Sequence, residues 1–327
     1  MGSSTPHTAH HWNSLAATKE ECAVWLEEHL RRCDSIYESL AGPAAGFHAA
    51  MRETGCREEV YMSEAVAAAF IPYNLSLKKP ENRIVYGHDS LQSLASLFFA
   101  RSHEGVHAMQ QTRSAAINMV GSADQGGLIL CPRDFIRAVD LQEYDAYAKQ
   151  GLLIAGWAEH SKEGLPSEIM LRARSVWDKI SRAGHLDGGL RAYADSVMDK
   201  TDGEGFLFKK TIRDGYHRDS LMQMKAMRDL GVMEPPARLT FCRLGPEDIL
   251  AIGENFGPNL FGRQGQIHPR FAKPPRLPAM LSLRIHFLNA ALGIKDEEGL
   301  PSVSEALRGK GLSPADFLAR ARPAPDV

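Results

Sequence analysis

Apolar residues recur at helical spacing close to the start of the chain. Between Asn13 and Leu40 they alternate with charged positions, which predicts an amphipathic helix. The short apolar run from Ser63 to Phe70 predicts a second, buried helix, and the polar stretch from Asn74 to Glu81 predicts a loop. Arg83 to Tyr86 combines β-branched and aromatic residues before a glycine, so one short strand is expected there.

The next segment has the features of a capped helix. Asp89 is a suitable N-cap, Gln92 follows three positions later as in a capping box, and helical sequence continues past Met109. Gly121 to Gly127 predicts a loop, and Leu128 to Leu130 predicts a strand.

The remaining half of the chain predicts mainly helices. Pro132 is suited to the first position of a long helix that reaches about Glu159. Further helical patterns occur at Ser167 to Ala183, Leu190 to Asp199, Tyr216 to Leu230, Pro246 to Ile252, Pro278 to Leu292 and Ser313 to Ala321. The whole pattern predicts an α+β fold that is mostly α-helical, with a small β-sheet.

Composition narrows the classes of function. The formal net charge is -2, and the basic residues are spread along the chain, so no nucleic-acid partner is expected. No apolar run approaches the ~20 residues of a membrane helix, and residues 1–11 lack the pattern of a signal peptide. The five cysteines are odd in number and widely spaced, as is typical of free thiols in a reducing compartment. We therefore expect a cytoplasmic protein without a membrane partner, although export without a classical signal peptide stays open.

The helix that follows Asp89 contains the run His103-Glu104-Gly105-Val106-His107. Residues four apart lie on nearly the same face of a helix, so the two imidazoles can bind one ion. Glu104 follows the first histidine by one residue, where its carboxylate can accept a proton from metal-bound water. The pattern is typical of catalytic zinc sites, and it predicts Zn²⁺ as the cofactor with Glu104 as the general base.

A catalytic zinc ion usually has a third protein ligand. Glu143, 36 residues after His107 in the long helix, is the preferred candidate, because an antiparallel helix could present it opposite the histidines. Asp140, Asp145 and His160 are the alternatives.

The run from His103 to Gln110 resembles the active-site helix of zincin metallopeptidases of the gluzincin type. It is similar in particular to uncharacterised bacterial members, in which a small residue and a glutamine often follow the second histidine. Glu143-Tyr144-Asp145-Ala146 is similar to the stretch that supplies their third ligand. The resemblance covers about fifty to sixty residues. It implies that His103, His107 and Glu143 are metal ligands. The acidic residue that these proteins often carry four positions after the glutamate ligand corresponds to Tyr147 here.

The helical pattern and the resemblance together predict an organisation and an activity. We expect an N-terminal helical segment at 1–74, a zincin-like metal-binding core at 75–160 with a small sheet and an active-site helix, and a mostly helical C-terminal lobe at 161–327. The expected function is hydrolysis of peptide bonds in a peptide or protein substrate. The alternative is a non-catalytic zinc-binding protein or a pseudo-peptidase that acts through its surface; the sequence leaves the oligomeric state open.

Such enzymes usually hold an extended substrate against an edge strand beside the active-site helix. Ile84 to Tyr86 is the candidate for this strand, with a buried strand as the alternative. Tyr216, His217 and Arg213 are candidates for stabilising an oxyanion, and none of the three is preferred.

Overall fold

The computed structural model describes residues 17–62, 67–71, 83–113, 128–161, 164–198, 240–263, 265–274, 277–313 and 316. Helices make up most of these residues, and three small sheets complete them. The predicted α+β class with a helical majority is confirmed at this level. Elements are numbered below in chain order within the described residues.

The N-terminal part is helical, as predicted. Helix α1 spans Lys19–Ser39, and a full capping box stabilises its start: the Thr18 hydroxyl accepts from the Glu21 amide, and the Glu21 carboxylate accepts from the Thr18 amide. A 3-10 turn at Gly42–Ala44 leads to α2, Phe47–Glu53.

The first sheet contains two strands that the sequence did not predict. Its strands are β1, Arg57–Val60, β2, Ala68–Ile71, and β3, Arg83–Tyr86, in the order β1-β3-β2. The helix predicted from Ser63 to Phe70 is wrong over its described end, because β2 lies there: a short apolar run does not distinguish a helix from a strand. Of the two alternatives for Ile84 to Tyr86, the buried strand is the one found and the edge strand is excluded, since β3 pairs with β1 on one side and with β2 on the other.

The helix that carries the two histidines begins later than predicted. A 3-10 turn at His88–Leu91 contains Asp89, and helix α3 spans Leu94–Arg113. The Ser93 hydroxyl accepts a hydrogen bond from the Ser96 amide at 3.1 Å, so Ser93 takes the capping role expected of Asp89.

A long central helix packs against α3. It follows strand β4, Leu128–Leu130, and spans Pro132–His160 as α4, with Pro132 at its first position as predicted. Twenty of its 29 residues are buried, so α4 is enclosed by the rest of the fold instead of presenting one polar face to solvent.

The remaining elements follow α4 along the chain. They are α5, Ser167–Ala183, α6, Leu186–Met198, β5, Thr240–Cys242, α7, Pro246–Gly253, β6, Gly262–Arg263, β7, Gln266–Ile267, α8, Pro269–Ala272, α9, Ala279–Leu292, and α10, Val303–Gly309. Strands β4 and β5 pair in parallel, and β6 and β7 form an antiparallel pair. The helices predicted at Ser167 to Ala183, Pro246 to Ile252 and Pro278 to Leu292 are confirmed, and the one from Leu190 to Asp199 begins four residues earlier.

One hydrophobic cluster includes residues from all three predicted segments, among them Leu26, Phe98 and Leu250. The division at residues 74 and 160 stays a prediction. Every helix among the described residues is too short or too polar to cross a lipid bilayer. The loop from Gly121 to Gly127 and the helices from Tyr216 to Leu230 and Ser313 to Ala321 fall outside the described residues, apart from Ser313 and Asp316.

Candidate metal centre

Three predicted ligands meet between α3 and α4. Among the described residues they are the one group of three or more histidine, cysteine or acidic side chains that could hold a metal ion. His103 Nε2 lies 3.1 Å from His107 Nε2. The two oxygens of Glu143 lie 3.2 Å from the Nε2 of His103 and 3.3 Å from the Nε2 of His107.

These separations match the requirements of zinc. Three ligand atoms that each lie about 2.0–2.1 Å from one tetrahedral ion are about 3.3 Å apart. The donor set, two imidazoles and one carboxylate, is also one that zinc prefers. The donor set and these separations are therefore compatible with one zinc ion held by the three side chains. Their relative exposures of 11%, 15% and 21% for His103, His107 and Glu143 show that solvent reaches the group.

The electrostatics of the three side chains favour a cation. Burial alone would lower the pKa of His107, but the carboxylates of Glu143 and Glu104 outweigh it and raise that pKa to about 9. Burial alone would raise the pKa of Glu143, yet the two histidines hold it well below its usual range. A metal ion would compete with protons for these atoms, so metal affinity should fall as the pH falls.

Glu104 is held at the edge of the first sheet. Its Oε2 accepts a hydrogen bond from the backbone amide of Phe70 in β2 at 2.7 Å. The Gly87 amide donates to the Ala67 carbonyl across the β2–β3 pair, and hydrogen-bonded pairs alternate along an antiparallel ladder. The amides of Ala68 and Phe70 therefore point away from β3. Glu104 accepts from one of these outward amides, that of Phe70, through Oε2. Its Oε1 remains able to accept a proton.

Gly105 allows the close packing of α3 on α2. A Cβ atom at this position would lie 2.9 Å from Cζ of Phe47 and 3.1 Å from Sδ of Met51. The middle of the motif thus carries a glycine for a packing reason, and α2 supports the helix behind the ligands.

The alternatives for the third ligand have other partners. Asp145 lies 3.0 Å from the Lys149 ammonium, and His160 Nδ1 bonds the Gly156 carbonyl at 2.9 Å. Asp140 is buried outside the group. The three oxyanion candidates, Tyr216, His217 and Arg213, lie outside the described residues.

The two histidine rings are oriented by different means. His103 packs on the ring of Tyr147, with centroids 4.4 Å apart, so the aromatic residue at the position expected to be acidic still contacts a histidine. No hydrogen-bond partner among the described residues reaches the buried Nδ1 of His103. His107 Nδ1 instead lies 2.9 Å from Oε1 of Gln110. Sequence reasoning gave Gln110 no role, although its spacing three residues after His107 on one helix could have identified it.

Comparison of the chain with protein-family models, with curated proteins and with solved structures gave no match. The resemblance to zincin metallopeptidases therefore stays a prediction, and the geometry of the site carries the functional interpretation.

Proposed function

We propose that this chain is a zinc-dependent metallopeptidase with a zincin-like core. The observation that carries the proposal is the group of His103, His107 and Glu143, in which the Nε2 atom of each histidine lies 3.1–3.3 Å from the other Nε2 and from one Glu143 oxygen. Glu104, a potential general base, lies on the same helix as both histidines. We place the protein in the cytoplasm because its odd, widely spaced cysteines are typical of a reducing compartment.

His103, His107 and Glu143 would hold the metal. A bound zinc ion would lower the pKa of a coordinated water to about 7 and polarise the carbonyl of the scissile bond. The partial exposure of the three side chains would let a water molecule reach the metal.

Glu104 would accept the proton of the attacking water. The Phe70 amide fixes one carboxylate oxygen at 2.7 Å and so limits rotation of the side chain. The second oxygen is then the proton acceptor. After attack, the same oxygen can deliver the proton to the leaving amine, as a general acid–base pair requires.

An extended peptide is the substrate that this edge fits. The amide and carbonyl of Ala68 point outward from β2 and can pair with a peptide backbone, as in β-strand addition. Because Glu104 bonds the next outward amide, a substrate paired with Ala68 would lie beside the base. The strand proposed to hold the substrate is therefore β2 and not β3, the strand expected from the sequence.

The experiment measures zinc binding and hydrolysis with the full chain. Hydrolysis of unfolded casein and of a library of internally quenched peptides should require zinc, stop with EDTA and return when zinc is added. Glu104→Gln should lower the rate by about 10²–10⁴-fold, because the amide cannot accept the proton. It should keep the zinc affinity and the free energy of unfolding, because its amide oxygen can still accept from the Phe70 amide.

Glu104→Ala is the matched control. It should lose the same activity and, in addition, about 1 kcal/mol of stability, since the hydrogen bond to Phe70 is gone. A Glu104→Gln protein that cleaves as fast as the wild type would contradict the proposed base. A wild type that binds zinc but cleaves none of these substrates would favour the non-catalytic alternative.

A further inference from the structure

Gln110 connects the two helices of the metal centre. Its Oε1 lies 2.9 Å from His107 Nδ1, and its Nε2 lies 3.1 Å from both the Gln142 carbonyl and Oδ2 of Asp145 on α4. The side chain is almost fully buried, with 1% of the residue exposed. Its amide therefore contacts one histidine on one side and two acceptors on the other.

These partners fix the direction of the Gln110 amide. A carboxylate and a backbone carbonyl can only accept hydrogen bonds, so the NH₂ group has to face Asp145 and Gln142. The amide oxygen then faces His107, and because an amide oxygen only accepts, Nδ1 of His107 has to carry the hydrogen. A neutral imidazole with a hydrogen on Nδ1 has its free lone pair on Nε2. That is the atom directed at His103 and Glu143.

A buried ion pair holds Asp145 in place. Asp145 and Lys149 are both 0% exposed, and their charged atoms lie 3.0 Å apart. Asn255 donates to Asp145 Oδ2 at 2.8 Å, and the Lys149 ammonium donates to the Asn255 side chain and to the Gly253 carbonyl. The chain segment at the end of α7 thus supports the same carboxylate that orients Gln110.

The ion pair is a costly way to stabilise a fold. Taking two charges out of water offsets much of their attraction, and a well-packed apolar pair often stabilises a protein as much or more. An orienting function explains why a buried charge pair begins at Asp145, two residues after the candidate ligand Glu143. A carboxylate can only accept, and therefore leaves Gln110 one orientation.

We propose that Gln110 is a positioning residue for the metal centre, and that the Asp145–Lys149 pair acts through it to select the tautomer of His107 whose Nε2 binds the cation. This inference rests on the metal site of the proposed function, but not on peptidase activity. Outer partners of metal-binding histidines typically contribute 10–100-fold to metal affinity.

The test titrates Zn²⁺ alone into the full chain in competition with a chromophoric chelator. Gln110→Leu removes the amide and leaves the charges of Asp145 and Lys149 paired, and it should raise the zinc dissociation constant about 10–100-fold. Asp145→Asn should have a similar effect. The Asn oxygen would face Lys149, so its NH₂ group would face the NH₂ group of Gln110. Because two donors cannot bond to each other, the Gln110 amide would rotate and turn its NH₂ group toward His107.

A double variant, Gln110→Glu with Asp145→Asn, is the matched rescue. The Glu carboxylate can accept from both His107 and the new Asn, and the net charge of the network with Lys149 is unchanged, but the hydrogen bond to the Gln142 carbonyl is lost. The double variant should recover part of the lost zinc affinity, which a purely structural loss would not do. Urea unfolding in EDTA, run on each variant, separates changes in folding from changes in binding.

The outcomes are distinct. A wild type that binds no zinc would overturn the metal site and this proposal together. If the wild type binds zinc and the Gln110→Leu variant binds it equally tightly, only the positioning role is overturned. A folded double variant that binds as weakly as the single variants would overturn that role as well.

Discussion

Arg101 should be the charged residue on which the position of α3 depends most. Its guanidinium forms two hydrogen bonds of 2.8 Å to the Glu58 carboxylate on β1, and one of 2.6 Å to Asp34 on α1. Only 5% of the side chain is exposed. Arg101 lies two residues before His103, so these contacts fix the helix of the metal centre to its two neighbours.

The cost of Arg101→Met follows from the charges left behind. Glu58 is 14% exposed and would lose its cation, whereas Asp34 is 32% exposed and also contacts His48 at 3.1 Å. Removing one partner of a buried ion pair costs about 3–5 kcal/mol. An unfolding entropy of about 2.1 cal/mol/K per residue gives about 0.7 kcal/mol/K for 327 residues. The melting temperature should therefore fall by about 4–7 °C if unfolding is two-state.

Differential scanning calorimetry and urea unfolding measure this loss. Arg101→Met combined with Glu58→Gln is the control, because it removes both charges and keeps an acceptor for the Tyr86 hydroxyl, which bonds Glu58 at 2.6 Å. The double variant should recover most of the lost stability. A single variant that melts within 1 °C of the wild type, or a double variant as unstable as the single one, would refute the reasoning.

Two further substitutions test the metal centre and its packing. Glu143→Gln removes the charge of a proposed ligand, so the zinc dissociation constant of the variant should rise by more than the ~10–100-fold expected for an outer partner. If the variant and the wild type hold the same amount of zinc in a chelator competition, Glu143 is excluded as a ligand. Gly105→Ala places a methyl group 2.9 Å from Phe47. The crowding should lower the free energy of unfolding by about 1–3 kcal/mol, and the higher helix propensity of alanine should raise it by about 1 kcal/mol. Urea unfolding should therefore show a net loss of about 0–2 kcal/mol. A variant more stable than the wild type would contradict this packing.

The sequence predicted the long elements well, because each repeats its periodic signal over several turns. Helix α4 begins at Pro132 as expected and ends one residue beyond Glu159. The short elements were harder to predict, since four residues such as Ala68–Ile71 have no period that separates a helix from a strand. Only pairing with β3 makes this segment a strand, and that pairing is not local.

The grouping of the candidate ligands followed from spacing on two helices. His103 and His107 share a face of α3 by helical geometry alone, and Glu143 required only that α4 pack beside α3. The network behind His107 could not be predicted in the same way. It includes Asn255, which is 110 residues from Asp145 along the chain and reaches it through the packing of α7.

The position of Glu104 depends on the register of the first sheet. The Ala67 carbonyl accepts from both the Gly87 amide and the Ser90 hydroxyl, and these two bonds fix β2 against β3. A slip of one residue would turn the Phe70 amide toward β3 and the Ala69 amide outward. Glu104 would then lose its hydrogen-bond donor or move along the strand by about 3.3 Å. A shift of this size is comparable to the 3.1 Å between the Nε2 atoms of His103 and His107. Glu104, the proposed base, can therefore stay beside the candidate metal centre only while the sheet keeps this register.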